Sequence, residues 1–299
     1  MTRQTLQPPV KTSLGIAVLL IVSTALAGSP PEASSEAKKD KAEKKPRIGP
    51  PTAEELADKR MQFMKRALAR YTIHVGDRKK TAKVGDPCLR WTNPLHNALD
   101  GIISVYTHKG GRPAALGVFF RQTKTRWANE FAIIAESDVT IMRSGRLFWK
   151  PSEYVCKFTD LPRSPLPATS SVLRLAQMRA IAADFSAIDY FGPKKIKQDL
   201  RLLRQPLYRY SEKGTILDGA LFVFVVATDP ECCLLLEAYQ DGTSSRYRYA
   251  FAPMSVYQLE VRHKDKLVWS IERRDARGAN CRSYYAGTYT PEPGEELPK

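Results

Sequence analysis

Between positions 52 and 75, Leu56, Phe63, Met64, Leu68 and Tyr71 recur at near-helical spacing, and Thr52 with Glu55 three residues later makes a capping box. The spacing predicts an amphipathic helix that needs a partner surface. A second helix is predicted over 171–190, with Leu173, Leu175, Met178, Ile181, Phe185 and Ile188 mostly toward one side. After each helix the period shortens to that of strands. Turn residues separate β-like runs at 102–107, 114–120, 127–135, 139–142 and 146–149, and then at 203–210, 220–227, 232–239, 245–251, 256–261 and 267–271. Leu221, Phe222, Val223, Phe224, Val225 and Val226 are apolar at every position, which implies cover on both faces of the sheet. A helix covers only one of them.

This pattern predicts an α+β fold of two similar halves, each an amphipathic helix followed by an antiparallel sheet of five or six strands. Landmarks repeat between the halves: Met64 and Tyr71 correspond to Met178 and Phe185, and Leu89-Arg90 to Leu203-Arg204, each 114 positions apart. Asp100-Gly101 and Asp218-Gly219 follow at 118, and Leu147-Phe148-Trp149 and Leu267-Val268-Trp269 at 120, which suggests a tandem duplication. The halves are placed at 52–160 and 161–285, with a flexible tail over 286–299.

The N-terminus changes the picture from fold to address. Arg3 and Lys11 precede an apolar stretch over 14–27 that ends in Ala25-Leu26-Ala27, the pattern of a signal peptide cleaved after Ala27. Residues 28–51, rich in Pro, Ser, Ala, Lys and Glu, read as a disordered tether. The expectation is an exported, periplasmic or extracellular protein with no transmembrane span after cleavage. With 47 Lys and Arg against 31 Asp and Glu the formal charge is +16, so anionic glycans or an envelope surface are expected partners, and nucleic acid is not, given export.

Candidate chemistry is sparse. Four His and five Cys show no zinc or iron–sulfur spacing, and neither a nucleophile elbow nor a glycine-rich phosphate loop occurs, so no metal and no cofactor is expected. His96 and Asp100 stand four apart and would form an oriented acid/base pair on a helix, although Asn93-Pro94 and Asp100-Gly101 favour turns. Glu237 interrupts an apolar strand, where an unpaired carboxylate is costly. It needs either an Arg partner, with Arg201, Arg204 and Arg209 on the preceding basic segment, or a cleft shared with Asp229 or Glu231 in which it works as an acid. Candidate binding residues are Lys194, Lys195 and Lys197, a second loop cluster of Lys79, Lys80 and Lys83, and Arg246 and Arg248, which share one strand face while Tyr247, Tyr249 and Phe251 take the other. Adjacent Cys232 and Cys233 point to opposite faces of their strand, so they do not bond to each other.

Leu89-Arg90-Trp91-Thr92-Asn93-Pro94, Arg174-Leu175-Ala176-Gln177-Met178, the stretch from Leu202 to Tyr210, and Asp218-Gly219-Ala220-Leu221-Phe222 together resemble secreted planctomycete proteins of unknown function. The resemblance spans roughly 55–272. It implies export and brings no activity, cofactor or catalytic residue. The chain therefore reads first as an exported, non-catalytic binding or scaffold protein. An exported hydrolase using carboxylates is the alternative, and a binder of anionic envelope polymers the third.

Overall fold

The computed structural model describes residues 50–76, 80–96, 98–108, 111–274 and 277–298. The predicted leader, most of the tether and Lys79 lie outside the described residues. Helix α1 (Ala53–Ala69) leads into β1 (Tyr71–Val75), β2 (Lys80–Asn93), β3 (Ala98–Thr107), β4 (Pro113–Arg121), β5 (Trp127–Ile133), β6 (Val139–Arg143) and β7 (Arg146–Trp149). The short β8 (Thr159–Asp160) precedes α2 (Ser171–Ala183), β9 (Phe185–Phe191), β10 (Ile196–Leu202), β11 (Tyr208–Glu212) and β12 (Ile216–Val226). The chain finishes with β13 (Asp229–Asp241), β14 (Ser244–Pro253), β15 (Gln258–His263), β16 (Lys266–Ile271) and β17 (Tyr284–Thr288).

The capping box forms at α1: the Glu55 amide donates to Thr52 Oγ1 at 3.2 Å and the Thr52 amide to Glu55 Oε2 at 2.8 Å. Both helices stop earlier than their apolar spacing suggests. Tyr71–Val75 and Phe185–Phe191 are strands, because β-branched and aromatic residues in a buried–exposed alternation pack better on a pleated surface than on a helix.

The expected α+β class is corrected. The chain is 52% strand and 15% helix, with two coiled sheets, a near-barrel and a half-barrel, and two helices among the described residues. The first sheet has eight strands in the order β17-β5-β4-β3-β2-β1-β6-β7, and the second runs β16-β15-β9-β10-β12-β13-β14-β8, with β11 paired to β12. The five- or six-stranded estimate misses β1 and β9, which fall in the predicted helices, and β2 and β10, which fall between the predicted runs; nor is either half self-contained. Strand β8, from the first half of the chain, pairs with β14 in the second sheet, and β17, from the end of the chain, pairs with β5 in the first. The segment read as a tail thus carries the end of β17. Beyond it, buried Tyr289 donates to Glu295, which also accepts from Arg70 at 2.7 Å.

Apolar cover on both faces of β12 comes from two different layers. Leu221, Val223 and Val225 face Val105, Leu116, Val118 and Ala132 of the first sheet, so the two sheets pack on each other. Phe222 and Phe224 point the other way, into a core with Met178, Ile181 and Ala182 of α2. Helix α1 covers the outer face of the first sheet through Phe63, Met64, Ala67 and Leu68, packed on Ile102, Phe119 and Trp127. On the adjacent β13, Cys232 and Cys233 fall on opposite faces, one in each of the same two cores.

An arginine pair on one aspartate pins each helix to its sheet. Asp100 on β3 accepts from Arg60 of α1 at 2.8 Å and from Arg90 of β2 at 2.7 Å; Asp218 on β12 accepts from Arg174 of α2 and Arg209 of β11. The glycine after each aspartate makes room for a neighbouring ring, Trp91 over Gly101 and Tyr210 over Gly219. A Cβ at Gly101 would lie 2.6 Å from Trp91 Cε2 and 2.8 Å from Phe120 Cβ. Gly101→Ala is therefore expected to cost about 1–3 kcal/mol by overpacking, with Trp91 fluorescence shifted in the native state. A neutral substitution by chemical denaturation would show that the ring moves aside freely.

Candidate functional site

The sequence-selected residues separate into several places. Glu237 is fully buried on β13 and is neutralised by arginine: Arg248 Nε donates to Oε2 at 2.7 Å, and Arg112 lies 3.3 Å from Oε1. The Tyr210 hydroxyl donates to Oε1 at 2.7 Å, and burial, followed by the Glu237 charge and this bond, keeps the phenol well above its ordinary range. The partners are not Arg201, Arg204 or Arg209. Arg209 serves Asp218, and the Arg201 guanidinium donates to the Ala227 carbonyl. Glu237 and Asp229 do not share a cleft, since the eight residue steps of β13 from one to the other span ~26 Å of strand.

Asp100 is likewise occupied. Its two arginines hold its carboxyl below the ordinary range despite the opposing cost of burial. Residues Pro94–His96 form one 3-10 turn and Asp100 lies in β3, so the two positions do not share a helix. Arg246 pairs with Asp241 at 3.2 Å, and Arg248 with Glu237, while Tyr247, Tyr249 and Phe251 go into the core against α2. Lys195 donates to Gln258, Lys197 pairs with Asp199 at 3.7 Å, and Lys194 is exposed in the turn before β10. Lys80 and Lys83 lie on β2 of the other sheet.

What the fold does assemble is a cleft of about 340 Å³ at the end of the seam between the sheets, opposite the Glu237 cluster along β13. Three carboxyls line it: Glu130 from β5, and Asp229 and Glu231 from the start of β13. Glu231 reaches it through a β-bulge. The register of β12 against β13 shifts between Phe224 and Val225, which pair with Cys232 and Pro230 and leave Glu231 as the extra residue. Trp91 and Phe120 contribute one aromatic pair to the lining, with centroids 5.2 Å apart, and Phe191 and Tyr257 another at 4.7 Å. Gln122, Ser255 and Arg277 complete its polar side.

Hydrogen bonds across the seam fix the acids. Asn93 Nδ2 donates to Asp229 Oδ2 at 3.0 Å, Tyr284 Oη donates to Glu130 Oε2 at 2.6 Å, and beside them the Thr228 hydroxyl donates to the Thr92 carbonyl at 2.7 Å. Among the described residues none of the three acids forms an ion pair. Burial therefore dominates their titration. It pushes Glu130 up to about 8, against the lowering effect of the Tyr284 hydrogen bond. Asp229 and Glu231 are both raised by burial, Glu231 further by the negative charge of Asp229 beside it, so the two hold protons as a pair. Asp189 on β9, two residues before cleft-lining Phe191 and on the same strand face, is fully buried. Its oxygens lack a well-formed hydrogen bond, only the Tyr190 amide favours its charged form, and burial raises it to about 7. The Trp91 indole N–H is also buried without a partner.

Glu130 and Asp189 escape the sequence reading, yet the signal that marks Glu237 marks them too. Each is an acid among apolar and aromatic neighbours, Glu130 in the predicted β run Trp127-Ala128-Asn129-Glu130-Phe131 and Asp189 in Ala187-Ile188-Asp189-Tyr190-Phe191, where the spacing predicts the end of a helix. Among the described residues no group of three or more His, Cys, Asp or Glu is arranged to hold a metal ion, and no helix is long and apolar enough to cross a membrane. Comparison with protein-family models, with curated proteins and with solved structures finds no match.

Proposed function

We propose that this chain is an exported, non-catalytic binding protein whose ligand occupies the cleft at the seam of the two sheets. One observation carries the reading: Glu130, Asp229 and Glu231 converge in a half-open, aromatic-walled cleft with no arginine paired to them, while every other buried carboxylate singled out above, Asp189 excepted, is neutralised. Unpaired acids and an unpartnered indole N–H are costly in a finished core, and a bound ligand satisfies them. Export rests on the leader-like N-terminus.

A hydrolase remains the second reading, favoured by the proton pair at Asp229 and Glu231. Adjacent carboxyls that cannot both ionise supply a general acid and a general base at one site. The basic-surface reading has less support, since Arg246 and Arg248 are engaged in ion pairs.

The test is a thermal-shift screen of small polar compounds at pH 7, followed by recovery of each hit. A compound that stabilises the protein, loses its effect in Asp229→Asn, and is recovered unchanged supports binding. Conversion of the compound, abolished by the same substitution, establishes the hydrolase instead. Hits unaffected by Asp229→Asn would remove the cleft as the site.

A further inference from the structure

The cleft also constrains what it holds. Three acids line it from two strands, Glu130, Asp229 and Glu231, a fourth, Asp189 on β9, acts on Glu231 from outside the lining, and within the described residues no cation is paired to any of the four. Asp189 is the informative member. It is fully buried, both its oxygens lack a well-formed hydrogen bond, and it acts electrostatically on Glu231 and is acted on by Asp229. A carboxyl in that position is satisfied either by keeping its proton or by a positive charge entering the site. The walls suit a cation as well. Trp91 with Phe120, and Phe191 with Tyr257, present ring faces or edges at the lining, and Arg273 already stands 5.7 Å from the Tyr257 centroid on that ring's face. The unpartnered Trp91 N–H asks for something different, an acceptor oxygen.

Taking the cleft as the ligand site, as proposed above, we propose that it binds a small organic amine that also carries hydroxyl or ether oxygens, with its ammonium among Glu130, Asp229 and Glu231 and an oxygen accepting from Trp91 Nε1. A cleft of about 340 Å³ accommodates a molecule of amino-sugar size. Binding is coupled to proton release, because the entering ammonium favours the ionised acids over the protonated ones. The titratable and charged groups that line this position are Glu130 from the first sheet, Asp229 and Glu231 from the second, and Tyr257 and Arg277 from the connecting loops, with Tyr284 bonded to Glu130 and Asp189 and Cys232 interacting electrostatically with Glu231 from outside the lining. Arg277, which lines the cleft and acts on Glu130, competes for the same negative charge.

The experiment is calorimetric titration of the protein at pH 7 with 1-amino-1-deoxysorbitol and with sorbitol, which differ only by the amine in place of one hydroxyl. Each titration is run in two buffers of different ionisation enthalpy. The amine is expected to bind at least about tenfold more tightly than the polyol, consistent with a charge-assisted hydrogen bond of ~1.5–3 kcal/mol, and to release protons. Glu231→Gln, which keeps the side-chain shape, is expected to lose about tenfold in amine affinity and to reduce proton release. Trp91→Phe, which keeps a ring over Gly101, is expected to weaken amine and polyol alike. Asp199→Asn, at a highly exposed residue on β10, is expected to leave amine affinity unchanged. Equal affinity for amine and polyol, with both lost in Glu231→Gln, overturns the amine assignment and leaves the cleft as the ligand site. Amine binding indifferent to Glu231→Gln and Trp91→Phe overturns it by placing the ligand elsewhere. If neither probe binds, the amine assignment falls, and the thermal-shift screen decides separately whether the cleft binds anything.

Discussion

Glu237→Ala is expected to lower the free energy of unfolding by about 3–5 kcal/mol, the largest loss of any single surface-distant carboxylate in this protein. The side chain is fully buried, and removing it strips Arg248 and Arg112 of their shared partner and Tyr210 of its acceptor. Arg248 is only 21% exposed and Arg112 only 24%, so neither recovers full hydration. Arg248 also lies over the Phe158 ring at 4.4 Å, which restricts its escape to solvent. The cluster joins the sheets as well, because Arg112 immediately precedes β4 of the first sheet and Glu237 belongs to the second. Glu237→Gln keeps an acceptor for Tyr210 and is expected to lose less than the alanine. Urea unfolding of both variants measures this, and a loss below about 1 kcal/mol for the alanine would mean that the arginines find water or other acids at little cost.

Stability is expected to fall as pH rises from 5 to 9, opposite to the behaviour of a protein held mainly by ionised carboxylates. The sign follows from linkage. Glu130, with an ordinary value of 4.5, is raised in the folded protein to about 8, so between these values the folded state binds a proton that the unfolded state has lost. The proton-linked stability is complete below pH 4.5 and is lost as pH climbs through 8. Asp189 adds the same sign over the window from 3.8 to about 7. At the usual ~1.4 kcal/mol per unit, reduced for the part of Glu130 that faces the cleft, its share is on the order of 3 kcal/mol. Glu130→Gln should then be more stable than the parent at pH 8.5 and nearly equal at pH 5. On the acid side Asp100, held below its ordinary value by Arg60 and Arg90, works in the reverse sense, and its contribution is lost as pH falls below 3.8. Denaturation midpoints at half-unit steps from pH 3 to pH 9 are expected to peak near pH 5. A flat profile above pH 6, identical in Glu130→Gln, would rule out the protonated cleft.

Much of the local structure is written in the chain. The Thr52–Glu55 box sets the start of α1, and the all-apolar run from Leu221 to Val226 already demands cover on two faces. The burial of Glu237 is legible for the same reason, since an acid among leucines on a central strand needs a partner. Which partner is not legible: Arg112 lies 125 residues away and Arg248 eleven, whereas Arg201 and Arg209 on the preceding basic segment are used elsewhere. Fold class fails at the scale of the whole sheet. Apolar periodicity reports how a segment packs and says nothing of which strand edge it joins, so the placement of β8 and β17 is invisible to it. The cleft is half legible. Asp229 and Glu231 stand out beside Pro230, but the bulge that turns Glu231 inward depends on the register of β12, and Glu130 arrives from another sheet.

The pairing of β17 with β5 also imposes an order on biogenesis. Tyr284 meets Ala132 only after all the intervening chain has been made, so through most of synthesis the β5 edge stands open while β1 to β7 are already available to pair. Contacts of such sequence separation form late and slowly. The nascent chain thus spends its elongation unable to finish its first sheet, which exposes it to aggregation wherever elongation stops early. Tyr284, the residue that closes the edge, also anchors Glu130, so the cleft is completed at the same late moment as the sheet.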